Sequence, residues 1–224
     1  MDLSVVQLGT LPYKEALELQ LRVREARQAD RIPDTLLLLE HPPVYTRGRR
    51  TEPHDLPMGE DWYLSQGIEI HDADRGGRVT YHGPGQLVGY PIMRIEHVVD
   101  FVHTMEQAVI AALADDGIEA RVREGLTGIW AGDAKIGSIG VHVNRGVTTH
   151  GFAVNVDNDL QPFEWIVPCG IDGVRMTSIT KEHGRGDNLS CFRKRMAYRF
   201  AQAYDMRQRI ASLERLLDPA TVLV

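Results

Sequence analysis

Lysine and cysteine are the scarce residues of this chain. Its 224 residues include only Lys14, Lys135, Lys181 and Lys194, against 21 arginines, and only Cys169 and Cys191. Two cysteines are too few for a disulfide framework or a four-cysteine zinc site, and no His/Cys/Asp spacing resembles a metal site, so no metal is expected. A Gly-Lys-Ser/Thr phosphate loop is absent. Gly83-x-Gly85-x-x-x-Gly89 misses the dinucleotide fingerprint by one residue, and no cofactor is expected. There is no basic excess: the net charge of −6 argues against nucleic acid as a partner. No apolar run approaches membrane-spanning length, and no charged leader with an apolar segment opens the chain. These absences predict a cytoplasmic protein, off the membrane, with reduced thiols. The 43% hydrophobic and 25% charged content suits one compact domain over 1–224, and nothing demands more than a monomer.

Patterning predicts the elements. Leu3 to Leu8 and the run Leu36 to Leu39 read as strands, and Tyr13 to Arg27 as a helix opened by Pro12 with Thr10 as a cap. Tyr45 to Glu60 reads as a loop carrying Arg47, Arg49 and Arg50. Ile68 to His71 and Leu87 to Tyr90 are further strands. Phe101 to Asp116 is a helix stopped by Gly117. Ala120–Val122, Thr127–Ala131, Lys135–Val143 and Thr148–Val156 form a glycine-broken meander. Leu189 to Tyr204 and Arg207 to Leu217 read as closing helices, with 207–224 ending in a loose tail. The order predicts an α+β fold around a mostly antiparallel sheet.

Three segments carry chemistry. Cys169 stands between Pro168 and Gly170, which mark a turn that presents the sulfur at a strand end. Cys191, inside a helix, reads as structural. Lys135 opens Lys135-Ile136-Gly137-Ser138-Ile139-Gly140, apolar and open beside the backbone. A thiol is a good nucleophile only as its thiolate, which a nearby ammonium favours. The pair therefore points to covalent acyl chemistry. The third segment is Arg75-Gly76-Gly77-Arg78-Val79-Thr80-Tyr81-His82, whose polar groups between glycines suit an anionic or acyl ligand. His82 and His150 are candidate general bases, which keeps a cysteine–histidine hydrolase open. His41, His54, His97, His103 and His183 have no motif around them.

These segments, taken with Leu38-Leu39-Glu40-His41-Pro42-Pro43-Val44-Tyr45-Thr46 and in this order from Val5 to Ile179, closely resemble the octanoyl-[acyl-carrier-protein]:protein N-octanoyltransferases, the lipoate biosynthesis protein B family. The resemblance implies the biotin/lipoate protein ligase catalytic fold. It also implies transfer of an octanoyl or lipoyl group from acyl carrier protein to a cysteine, as a thioester, and then to a lysine of a lipoyl domain. The acceptors implied are the lipoyl domains of 2-oxoacid dehydrogenase E2 subunits and the glycine cleavage H protein. The cysteine is Cys169 and the lysine that tunes it Lys135. Acyl-binding segments fall on Arg75 to His82, on Ser138, Ile139 and Gly140, and on Gly151, Phe152 and Ala153. Met176 stands where the family carries a smaller β-branched residue.

Thioester exchange is nearly balanced and thioester to amide is downhill, so the reaction needs no ATP. Backbone N–H groups near Gly77, Ser138 or Gly140 are candidate oxyanion donors. Arg47, Arg49 and Arg50 are candidates for docking acidic partner domains. The alternatives are an ATP-dependent lipoate–protein ligase of the same fold, the hydrolase, and a non-catalytic acyl-carrier-binding module.

Overall fold

The computed structural model describes residues 1–171, 173–184 and 189–217. Strands β1 (Asp2–Thr10) and β2 (Asp34–Glu40) flank helix α1 (Tyr13–Gln28). Next come β3 (Val44–Arg47), α2 (Glu60–Ser65), β4 (Glu69–Asp72), β5 (Thr80–His82) and β6 (Gln86–Ile92). Helix α3 (Val98–Ala114) precedes β7 (Ala120–Arg123), β8 (Leu126–Ala131), β9 (Ala134–Asn144) and β10 (Val147–Asn155). The rest comprises β11 (Arg175–Met176), α4 (Ile179–His183), α5 (Leu189–Ala203), β12 (Arg207–Ile210) and α6 (Leu213–Leu217).

The main sheet has the order β12-β1-β2-β6-β10-β9-β8-β7, with β11 beside β9. It is mixed: the pairs from β2 to β7 are antiparallel, and β12–β1, β1–β2 and β9–β11 are parallel. Helices cover both faces, which explains the unbroken leucine run of β2. Leu36 and Leu38 pack with Met105, Val109 and Leu113 of α3 and Phe192, Met196 and Phe200 of α5. Leu37 and Leu39 turn to the other face, against Ala16, Leu19 and Val23 of α1. A smaller sheet, β4-β3-β5, has its own cluster around Tyr45, Tyr63, Tyr81 and Phe163.

Three sequence expectations change. Tyr45 to Glu60 is not all loop: Val44–Arg47 is a strand, pairing with both β4 and β5 although Pro42 and Pro43 precede it. Arg207 to Leu217 is not one helix. Arg207–Ile210 is an edge strand parallel to β1, and only Leu213–Leu217 is helical. Arg-Gln-Arg-Ile has no apolar face to announce a strand; the ladder to β1 and Arg207 and Arg209 on Asp2 hold it there. Thr10 does not cap α1, whose first turn starts at Pro12 without a side-chain cap. The tail expected beyond Leu217 lies outside the described residues. Among those described, no helix is long and apolar enough to cross a membrane.

Candidate active site

The meander sets the position of the lysine. Along β8 and β9, Ile129 faces Gly137 but Trp130 faces Lys135, so Ile136 is an extra residue in β9. Such a bulge re-aims the side chains around it. Ile136 packs into the main core, as do Ile139 and Val141, while Ser138 and Gly140 line a cavity. Strict alternation from Ser138 would send Lys135 to the core face. The bulge returns it to the cavity side, fully buried.

Lys135 Nζ donates to the Thr127 carbonyl at 2.7 Å and to Cys169 Sγ at 3.1 Å. Its path is open because Gly128 has no side chain: a Cβ there would stand 2.5 Å from Lys135 Cε and 2.5 Å from the Gly137 carbonyl oxygen. Cys169 occupies a 3-10 turn, Pro168–Gly170, at φ +58° and ψ +15°, the left-handed region that L-residues enter at a cost. Its backbone N–H is fixed by the Val79 carbonyl at 3.0 Å. Non-glycine residues held this way concentrate at functional sites.

Cys169 opens onto a cavity of about 600 Å³. Ser138 and Gly140 from β9, Gly151 and Ala153 from β10, and Val88 and Tyr90 from β6 line it along three neighbouring strands. Gly151 cannot be enlarged, since a Cβ would meet the Gly89 carbonyl oxygen at 2.3 Å. Ile139 and Phe152 also line the cavity, although both belong to the core face.

The segment from Arg75 to His82 divides. Gly77, Arg78, Thr80 and His82 line the cavity with Arg75. The Arg75 guanidinium, however, is taken up by the chain itself: Nη2 donates to Thr46 O and Oγ1, and Nη1 to the carbonyls of Gly76 and Arg78. It is a clasp for the loop. Gly76, Val79 and Tyr81 do not line the cavity: the Gly76 N–H donates to the Val141 carbonyl, the Val79 carbonyl holds Cys169, and Tyr81 packs in the smaller core.

The histidine candidates line the same cavity as Cys169, but each ring is bonded elsewhere and neither bonds the thiol among the described residues. His150 Nε2–H donates to Asp74 Oδ1 at 2.5 Å. Burial pushes His150 down, opposed by Asp74, whose own carboxyl is lowered by that bond. His82 Nδ1–H donates to Gln86 Oε1, and burial, then neighbouring His41, pushes it down to about 3. His41, which the sequence left without a role, donates Nδ1–H to the Leu11 carbonyl and accepts from the Tyr90 hydroxyl. Burial lowers it to about 4. Burial holds all three rings below the ordinary imidazole value, and the partner that reaches Sγ is Lys135.

The basic loop also divides. Arg47 is paired with Asp72 and Glu60, and Arg49 donates to His142. Arg50, exposed at the cavity, has no ionic partner among the described residues. Sequence reasoning missed Gly128, the Ile136 bulge, Tyr13 and Tyr90 in the cavity wall, and buried Asp55. A glycine inside the strand that faces the lysine motif was the one available signal.

The Lipoyl protein ligase A/B catalytic domain family matches residues 12–201. The octanoyltransferase of Mycolicibacterium smegmatis is 45% identical over 222 residues, covering 95% of this chain and 94% of that protein. That of Salinispora tropica is 48% identical over 193 residues, covering 82% and 87%. The fold is shared with a bi-partite lipoate protein ligase of Thermoplasma acidophilum: TM-score 0.75, 17% identity, covering 99% of this chain and 90% of that one. A biotin protein ligase of Aquifex aeolicus superposes with TM-score 0.53 at 11% identity, covering 92% and 70%. The chain belongs to the lipoyl protein ligase A/B catalytic domain family and, within it, to the octanoyltransferases of protein lipoylation.

Proposed function

We propose that Cys169 carries the octanoyl group as a thioester between two protein substrates, octanoyl-acyl carrier protein and a lipoyl domain, with Lys135 as the proton carrier. The observation that carries this reading is the 3.1 Å contact between Lys135 Nζ and Cys169 Sγ at the cavity. The thiol gives its proton to Lys135, and the thiolate attacks the carrier's thioester carbonyl. As the tetrahedral intermediate collapses, the carrier sulfur leaves and takes that proton back. The acceptor lysine then attacks as a free amine and loses a proton to Lys135, and Cys169 departs as the thiolate. The Thr127 carbonyl keeps Nζ in place throughout.

Of the three oxyanion candidates, Gly77 is favoured, because its N–H makes no hydrogen bond among the described residues and it lines the cavity. The acyl-binding role falls to Ser138, Gly140, Gly151, Ala153, Thr80 and His82; Arg75 and Arg78 support the loop. The acceptors are those the family resemblance implies, E2 lipoyl domains and the glycine cleavage H protein, met as a monomer in the cytoplasm. Arg50 replaces the three-arginine patch as the docking cation.

Intact-protein mass spectrometry after mixing with octanoyl-acyl carrier protein, without ATP, tests this. The expected result is one octanoyl adduct on the wild type, none on Cys169→Ser, and discharge of the adduct by a lipoyl domain. Modification that appears only with ATP and free fatty acid would replace this reading with a ligase.

A further inference from the structure

Asp55 lies in Glu52-Pro53-His54-Asp55, a stretch the sequence marks only as loop, yet its side chain is fully buried. Oδ2 accepts from the Glu52 backbone N–H at 2.8 Å and from Arg78 Nε at 2.9 Å, while Oδ1 is buried without a hydrogen bond among the described residues, 3.7 Å from His54 Nε2. The Asp55 carbonyl accepts from the N–H of Val167, two residues before Cys169, at 3.0 Å. The Arg78 guanidinium, held by Asp55 and by Glu52 at 3.1 Å, lies against Gly170. A Cβ on Gly170 would stand 2.2 Å from Arg78 Cδ and 2.6 Å from Nε. The residue after Arg78, Val79, accepts the Cys169 N–H. The cysteine turn is thus gripped on both sides, and both grips lead to Asp55.

A carboxylate withdrawn from water with one oxygen lacking a hydrogen bond costs stability that an apolar residue would not. Cys169, with φ at +58°, does not hold its conformation unaided. We propose that Asp55 is a positioning residue for the nucleophile. Through Arg78 and Val167 it holds the Pro168-Cys169-Gly170 turn so that Sγ stays within reach of Lys135 Nζ. It touches no reacting atom. The inference rests on Cys169 as the acyl carrier, but its test does not require acyl transfer.

The test is the pH dependence of Cys169 alkylation by iodoacetamide, in a Cys191→Ser background, for the parent and Asp55→Asn. Among the described residues, the charged and titratable groups around the turn are Lys135, Arg75, Arg78, Asp55, Glu52 and His54, with Glu164, Arg175 and Lys181 on the side of Pro168. Electrostatics alone leaves Arg78 less neutralised in Asp55→Asn and moves the thiol midpoint down. Loss of positioning breaks the contact with Lys135 and moves it up. The expected result is an upward shift of roughly half a pH unit or more, with kcat for acyl transfer down about tenfold and KM nearly unchanged. An unchanged or lowered midpoint in a folded variant overturns the proposal. Should Asp55→Asn fail to fold, Arg78→Lys keeps the charge on Asp55 but loses the contact with Gly170. It must then show the same upward shift, and a parental midpoint there overturns the proposal. Failure of the parent to take an octanoyl adduct would strike the acyl-transfer reading and leave the alkylation result standing.

Discussion

Replacing Gly128 by alanine puts a methyl group where the lysine side chain passes. Two costs follow. The backbone at φ +114° is open to glycine and strained for alanine, at about 1–3 kcal/mol. The new Cβ also meets the Gly137 carbonyl oxygen at 2.5 Å, a backbone atom of the paired strand, so β8 and β9 must separate or the lysine must move. Overpacking of this kind adds about 1–3 kcal/mol. At ~2–4 °C per kcal/mol for a chain of this size, the sum lowers Tm by roughly 4–24 °C.

The activity effect is separate. Cε and Nζ of Lys135 lie 2.5 and 2.9 Å from the new atom, and displacing Nζ by about an ångström costs on the order of 100-fold in acylation of Cys169. Gly170→Ala is the control. The three atoms nearest its Cβ all belong to the Arg78 side chain rather than to backbone, and φ +69° costs alanine about 1–2 kcal/mol. It is expected to lose less Tm than Gly128→Ala. Thermal melts and single-turnover adduct formation measure both variants. Gly128→Ala with the parent's Tm and adduct rate would refute the argument that this glycine is the channel for the lysine.

Lys135→Met keeps the buried volume but removes the proposed proton carrier. Adduct formation should fall about 10²–10⁴-fold, while Tm falls by roughly 2–12 °C, since the Thr127 carbonyl and Cys169 Sγ lose their Nζ partner and a buried acceptor left unpaired costs about 1–3 kcal/mol. Stability should fall on mild acidification. Below pH 6.5 the unfolded chain protonates His41 and His82, while the folded protein resists to about 4 and about 3 respectively. Each therefore removes about 1.4 kcal/mol per pH unit, ~2 kcal/mol between pH 6.5 and 5, and urea unfolding at the two pH values reads the sum. A flat profile above pH 5 would mean that these rings are solvated. Arg50→Glu should raise KM for the carrier protein several-fold and leave acylation by a small octanoyl thioester unchanged; equal effects on both would make Arg50 structural.

The site was legible where its chemistry needs rare residue types. One lysine among four and one cysteine among two, each in a glycine-containing motif, stood out against the arginine-rich background, and the structure joins them at 3.1 Å. What the sequence hid depends on pairing across strands. The Ile136 bulge is a mismatch between two strands, and the window around Lys135 alone reads as plain alternation. Arg47, Arg49 and Arg75 looked alike as cations. Their separate fates follow from Asp72, Glu60, His142 and Thr46, which folding brings beside them. Asp55 resembled any loop aspartate until Arg78 and Val167 closed over it. The α+β class and the meander followed from periodicity, and β12 escaped because an edge strand held by backbone bonds and Asp2 needs no apolar pattern.

That edge strand also bears on how the protein is made. Asp2 and Arg207, bonded side by side, are 205 residues apart in the chain. At 5–20 residues per second, a ribosome exposes β1 roughly 10–40 s before its outer partner exists. Throughout that time the strand presents a bare hydrogen-bonding edge, with Leu3 and Val5 behind it awaiting the helices that will cover them. The nascent chain is then at its most vulnerable to pairing with a neighbour, and a holding chaperone has most to contribute.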